Sequence, residues 1–336
     1  LDATTWIKKV VWGCLAGLVI GLYAFAWSGW WYLLDFTLGA FGLLGLYIII
    51  SDGLKIGLTK AIDPRHNKAW ASTLIVFGSI ILACTIFMST FLSFSALISA
   101  PFSPLDFDTT IKVAAKADLW PNVYTTVAEL NPGSINDAKS AIGGNVYVAL
   151  ALIGIVLLFI GRREKYASVF TAFILILSFI GSIYAVTKGI RFTLLIVPPF
   201  AVAFGIAIGR THNYIIQNAK KALRLPTWLA SGVFVIIVCA LLLQGTVMTA
   251  KAQGMQDVPI MNDAWYNALT AIKDKSSPNA IINSWWDFGH HFKYVADRAV
   301  TFDGASQNGP PAHWIGLALM TDDEALASGC VGCIGD

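Results

Sequence analysis

The run KKVVWGCLAGLVIGLYAFAWSGWWYLLDFTLGAFGLLGLYIII, Lys8 to Ile50, decides the fold class. Its two apolar stretches, Val10–Trp27 and Trp31–Ile50, each approach or reach the ~20 helical residues needed to cross a bilayer core. Only Ser28-Gly29-Trp30 separates them, which reads as a tight turn between antiparallel spans. Asp35 is the one acid in the run and reads as an interfacial carboxylate or one paired with an arginine. Five more stretches repeat the pattern: Ala69–Leu97, Val146–Ile160, Ala167–Val186, Phe192–Ile208 and Trp228–Val247. The fourth and sixth of the seven are short and depend on their flanks.

Composition agrees. Of 336 residues, 56% are hydrophobic and 13% charged, with a mean hydropathy of +0.67, whereas soluble domains run at about a quarter charged. The expectation is a polytopic α-helical membrane protein. The first span is no signal peptide, since a second follows at once without a small-residue cleavage site. A chain that begins at Leu1 and stops at Asp336 reads as an internal part of a longer protein. The net charge of +3 is small and the basic residues lie between apolar runs, so no nucleic-acid surface is implied.

Basic clusters orient the spans, because Lys and Arg concentrate on cytoplasmic loops. Lys8 and Lys9 precede the first span; Lys55, Lys60, Arg65 and Lys68 follow the second. Arg162, Arg163 and Lys165 follow the fourth, and Arg210, Lys220, Lys221 and Arg224 follow the sixth. All four clusters fall on one side in strict alternation. The Ser28–Trp30 turn, the 101–143 loop, the 187–191 turn and everything after the last span then face outward.

Residues 1–250 therefore read as a membrane domain of about seven spans, and 251–336 as the start of an external globular domain. In the latter, Asn262–Lys273 has Trp265, Leu269 and Ile272 at helical spacing. Ala280–Ser284 and Val300–Asp303 read as strands, with a helical segment over Phe288–Asp297, so the external part begins as a mixed α/β domain. The 101–143 loop is too long for a plain connector and is expected to carry function or to be disordered.

Several residues could carry chemistry. Glu129 lies in Thr125-Thr126-Val127-Ala128-Glu129-Leu130, an uncharged β-type run, and reads by itself as a solvated loop acid. Asp106 and Asp108 form an Asp-x-Asp pair that reads as two solvated loop acids or as oxygen ligands for a divalent cation. Arg191 stands at the outer end of the sixth span, where the charge rule disfavours it. It reads either as a snorkelling side chain or as a guanidinium held for an anion. Pro198-Pro199 is expected to bend the sixth span. His290, His291 and His313 match no zinc spacing. Cys330 and Cys333 form one C-x-x-C, read first as a loop disulfide. No phosphate loop or nucleophile elbow occurs. Trp285-Trp286-Asp287-Phe288-Gly289 offers two indole donors, one carboxylate and flat apolar walls, the makings of a pocket.

That last stretch resembles the W-W-D-Y-G signature of the oligosaccharyltransferase catalytic subunits, of the archaeal and bacterial single-subunit type. Thr126-Val127-Ala128-Glu129 resembles the family's T-I/V-x-E motif, and Lys188-Gly189-Ile190-Arg191-Phe192-Thr193 with Val197-Pro198 resembles its lipid-diphosphate arginine segment. The resemblance implies the second half of a glycosyltransferase C-type membrane domain entering its external domain. It implies transfer of an oligosaccharide from a polyprenyl phosphate or diphosphate carrier to the side-chain amide of Asn in Asn-x-Ser/Thr. By the same resemblance, Trp285, Trp286 and Asp287 bind the Ser or Thr hydroxyl, Glu129 holds the acceptor amide, and Arg191 contacts the diphosphate. Mn²⁺ or Mg²⁺ is implied as cofactor, near Glu129, with its principal ligands in loops this sequence does not contain. Phe288 departs from the family's Tyr, and the bacterial arginine that reads an acid before the sequon has no counterpart. The alternatives are another polyprenyl-phosphate-dependent transferase, of O-mannosyl or lipid-A type, and a transporter with Arg191 and Asp35 on its pathway.

Overall fold

A computed structural model describes residues 5–114, 127–160, 165–256, 258–306 and 310–335. Thr125 and Thr126 of the glutamate motif, and Arg162 and Arg163, lie outside these. Among the described residues, six helices are long and apolar enough to cross a membrane: Trp6–Ala26, Trp31–Ile56, Lys68–Phe91, Tyr166–Val186, Ile190–Ala222 and Thr227–Gln256. A seventh crossing is counted if Ile135–Ala141 and Asn145–Ile160, bent by 84° at their break, form one span. This is a multi-pass membrane protein. The chain divides into two compact units, 1–109 with 132–236 and 110–131 with 237–336.

In the first unit, large apolar side chains such as Trp12, Leu82 and Ile180 are exposed. A lipid-facing surface has this composition, because acyl chains solvate Leu as well as a protein core does. Association must then come from close packing, and the Trp6–Ala26 helix achieves it with Gly13, Gly17 and Gly21. Each lies against the Lys68–Phe91 helix, where a Cβ would fall 2.7 Å from Ser79 Cβ, 2.4 Å from Ile80 O and 2.6 Å from Phe87 Cδ1 respectively. Small residues at four-residue spacing let two backbones approach. Gly17→Ala is expected to lower stability by about 1–3 kcal/mol through overpacking. Gly78→Ala on the partner helix, whose Cβ would meet nothing within 4 Å, is expected to be neutral or stabilising. Thermal unfolding of the two variants in detergent checks the contrast.

Several expectations need correction. The third apolar run does not reach Leu97: its helix ends at Phe91, and Ser93 caps a new helix, Phe94–Ser99. Pro198-Pro199 does not bend a span. The pair sits in the first turn of the Val197–Leu223 helix, after a 3-10 segment over Ile190–Ile196. There the missing N–H groups are ones the helix leaves unpaired anyway. The 101–143 stretch is largely helical where described, with Ser103–Ala114 and Ile135–Ala141 as helices, the latter opened by a Ser134–Asp137 capping box. Within it Ala128–Leu130 forms a 3-10 turn rather than a β-type run. Asp106 and Asp108 fall on the Ser103–Ala114 helix rather than in a loop, with the Asp106 side chain exposed and that of Asp108 outside the described residues. Finally, Cys330 is a free, buried cysteine on the helix Glu324–Gly335, so the C-x-x-C does not close a loop as a Cys330 disulfide.

The second unit holds a small parallel pair, β1 (Ile281–Ile282) and β2 (Ala299–Val300), in register Ile281↔Ala299. The crossover between them carries a 3-10 turn at Trp286–Phe288, a helical turn at Gly289–His291 and a π turn at Phe292–Ala296. The amphipathic helix is present as Asp263–Lys275, capped by Asn262. Leu269 on its buried face packs with Phe292 and Ala296, flanked by Trp265, Ile272, Ile282 and Val300. Arg298, 8% exposed, secures this layer. Its guanidinium donates to the carbonyls of Ala296, Asp297, Lys273 and Ser276 and to Ser276 Oγ. All its donor groups are thereby used, two of them on carbonyls at the end of the Asp263–Lys275 helix.

Candidate functional site

In a parallel βαβ arrangement the strands' carboxyl ends face the same way, and ligand sites collect there. Trp285–Asp287 follows β1, and Phe302–Gly304 follows β2, so the sheet brings the two segments together. Phe302 is 1% exposed and forms a core with Ala312 and Ile315, against which Trp285 and Trp286 pack. Trp285 meets the Phe302 ring edge-on, at 5.6 Å and 89°. Phe288, where the resembling family carries Tyr, stacks on Trp265 at 5.1 Å and 20°. Its ring is thus held by packing that needs no hydroxyl.

Two polar groups of this loop are available for chemistry. Trp286 Nε1 is buried and has no hydrogen-bond partner, an arrangement that native interiors rarely tolerate without a purpose. Asp287 is exposed. A ligand hydroxyl can accept from an indole N–H and donate to a carboxylate at the same time. Beside the loop, Asp303 is 2% exposed. It accepts from Lys293 Nζ, from the Ala305 N–H at 3.0 Å and from the Ser306 hydroxyl at 3.1 Å. The Lys293 ammonium in particular holds its carboxyl down at about 2. His290 Nδ1 stands 3.7 Å from the same carboxylate. Sequence reading missed Asp303 and Lys293, because Asp303 was absorbed into the end of a strand and Lys293 into a helix face.

The other sequence-derived residues lie apart in the chain. Glu129 is exposed on the 3-10 turn Ala128–Leu130, between Val127 and Asn131 in extended conformation. Arg191 is exposed in the first turn of the 3-10 segment Ile190–Ile196. The Gly133 N–H donates to Val186 O at 2.9 Å, and a Cβ on Gly133 would sit 3.4 Å from Ile190 Cα. No three His, Cys, Asp or Glu side chains come together among the described residues. Those residues do not fit a metal centre on their own.

Comparisons with known proteins cover nearly the whole chain. Residues 2–250 match the family described as oligosaccharyl transferase STT3, N-terminal, and residues 278–330 match the STT3/PglB/AglB core domain. A dolichyl-phosphooligosaccharide-protein glycotransferase of Methanococcus voltae is 27% identical over 96% of this chain and 44% of its own length. One of the same description from Methanocaldococcus jannaschii is 28% identical over 91% and 39%. An undecaprenyl-diphosphooligosaccharide–protein glycotransferase of Campylobacter jejuni is 25% identical over 62% of this chain and 27% of its own. The archaeal oligosaccharyltransferase AglB of Archaeoglobus fulgidus, solved with an inhibitory peptide and a dolichol-phosphate, shares the fold. Its TM-score is 0.56 at 15% identity, over 97% of this chain and 47% of that one. This chain spans less than half the length of the relatives it matches.

Proposed function

The chain belongs to the oligosaccharyl transferase STT3 family, and from that premise we propose that it is the carboxyl-side part of an enzyme that glycosylates asparagine. The reaction is transfer of an oligosaccharide from a polyprenyl phosphate or diphosphate to the Asn amide of an Asn-x-Ser/Thr segment in a polypeptide. The observation that carries this reading is the Trp285–Asp287 loop, with an unpaired indole donor in a packed wall beside an exposed carboxylate. In it the Ser or Thr hydroxyl accepts from Trp286 Nε1 and donates to Asp287, with Trp285 as apolar wall.

The acceptor amide is a poor nucleophile because its lone pair is delocalised into the carbonyl. Glu129 accepts an N–H of that amide, turning the nitrogen out of conjugation and taking up its proton as the bond to the sugar forms. As the sugar's bond to the phosphate oxygen breaks, negative charge builds on that oxygen. Arg191 pairs with it, stabilising the charge where it develops. Mn²⁺ or Mg²⁺ belongs to this proposal as the cofactor; once bound it would supply Lewis-acid help to the leaving group, with ligands other than the described residues.

Residues 1–250 are taken as the membrane domain and 251–336 as the start of a domain on the outer, extracytoplasmic face. The alternation of the basic clusters supports that orientation, provided the bent pair Ile135–Ala141 and Asn145–Ile160 counts as one crossing. The proposal is tested with the full-length protein, a lipid-linked glycan and a sequon peptide. Arg191→Ala is expected to raise the donor KM or lower kcat by about 10²-fold, with Arg191→Lys recovering part of it. Full activity in Arg191→Ala would remove that residue from the mechanism.

A further inference from the structure

Three consecutive residues beyond β2, Phe302 to Gly304, run against the Trp285–Lys293 loop. Phe302 meets the ring of Trp285. The backbone of Phe302 and Asp303 lies so close to Gly289 that a Cβ there would fall 2.8 Å from Phe302 O and 2.6 Å from Asp303 Cβ. Gly304 is less tightly held: a Cβ there would fall 3.1 Å from Nε2 of the exposed His290 side chain and at an ordinary contact distance, 3.9 Å, from Trp286 Cε3. Asp303 accepts from Lys293, which closes the loop on its far side. The glycine of the Trp-Trp-Asp-Phe-Gly run has a φ of −53° at this position. It is there for this close approach, not for backbone freedom.

We propose that the Phe302–Gly304 turn, fastened by the Lys293–Asp303 ion pair, is the positioning device of the Trp285–Asp287 pocket. Asp303 and Lys293 are then positioning residues that set affinity for the acceptor without touching it. This rests on the functional reading above. The ion pair is a suitable fastener: one partner is nearly buried, its other oxygen is already held by Ala305 and Ser306, and the lysine arrives from the opposite side of the crossover. Losing it frees the loop to move without removing any pocket wall.

The test uses the full-length protein with separate titrations of acceptor peptide and lipid donor. Asp303→Asn keeps an oxygen for the Ala305 and Ser306 bonds and removes the ion pair. Lys293→Met removes it from the other side at a side chain that is 53% exposed, so no cavity is left, and thermal unfolding of this variant controls for the loss of Asp303's partner. Each is expected to raise the acceptor KM by roughly tenfold, leaving donor KM and kcat within about twofold of wild type. The double variant is expected to be no worse than either single, because one interaction is being removed twice. Lys293→Arg is expected to restore the acceptor KM. Acceptor KM within about twofold of wild type in the variants would overturn the proposal, as would parallel changes in kcat and donor KM. If Asp303→Asn does not fold, Lys293→Met decides alone. Absence of transfer by wild type, or undiminished transfer in Glu129→Ala, would sink the functional reading instead.

Discussion

Glu129→Ala is expected to lower kcat for glycan transfer by about 10³-fold or more, within the range that one positioned proton acceptor supplies. The protein should still fold. Glu129 is exposed on a single 3-10 turn, so truncation leaves no cavity to destabilise a core. Glu129→Gln is expected to fail almost as badly, because the neutral amide keeps one acceptor oxygen but has neither the charge nor the basicity to take up the proton. Its loss separates charge and proton acceptance from mere bulk. Turnover at saturating donor and acceptor, with thermal unfolding as the control, measures both. Near-normal kcat in either variant would take Glu129 out of the reaction.

The second large effect is expected at the pocket. Trp286→Phe keeps an aromatic ring against Phe302, Ala312 and Ile315 but deletes its buried, unpaired indole donor. Asp287→Asn, at an exposed position, keeps size but weakens the acceptor. Sites built to bond a hydroxyl lose on the order of 10⁴-fold when the partner is missing, and removing one of two contacts forfeits roughly half of that in free energy. Each variant is therefore expected to lower kcat/KM for an Asn-x-Thr peptide by about 10²-fold. The loss should fall mainly on acceptor KM, with donor KM unchanged. Unaltered acceptor kinetics in both would mean that the loop binds something else.

Much of this architecture is written in residue patterns of strong period. Trp265, Leu269 and Ile272 mark one helix face, and they pack where that face predicts. Apolar length likewise marks the spans, because a bilayer leaves the backbone few alternatives to a helix. What escaped the sequence depends on context that spacing does not carry. Pro198-Pro199 breaks or starts a helix according to where the preceding turn ends, and the 3-10 segment at Ile190–Ile196 made it a start. Glu129 lies in a run of β-prone residues, yet the local chain closes into a turn. Gly13, Gly17 and Gly21 stand four residues apart, but their role appears only once Ile80 O is seen against Gly17. The Trp-Trp-Asp run was conspicuous by composition. Its support from Asp303 and Lys293 was not, since a parallel pair of strands joins residues that no short motif connects.

The most direct test of the central claim compares Asn-x-Thr and Asn-x-Val peptides as acceptors for the full-length protein, valine having threonine's shape without its hydroxyl. Wild type is expected to transfer glycan to the threonine peptide and to reject the valine peptide by about 10³-fold or more in kcat/KM. In Trp286→Phe the threonine peptide should fall toward the valine level while the valine peptide barely changes. Equal transfer to both peptides by wild type would contradict the account, because a pocket that ignores the hydroxyl cannot be what Trp286 and Asp287 are arranged to make.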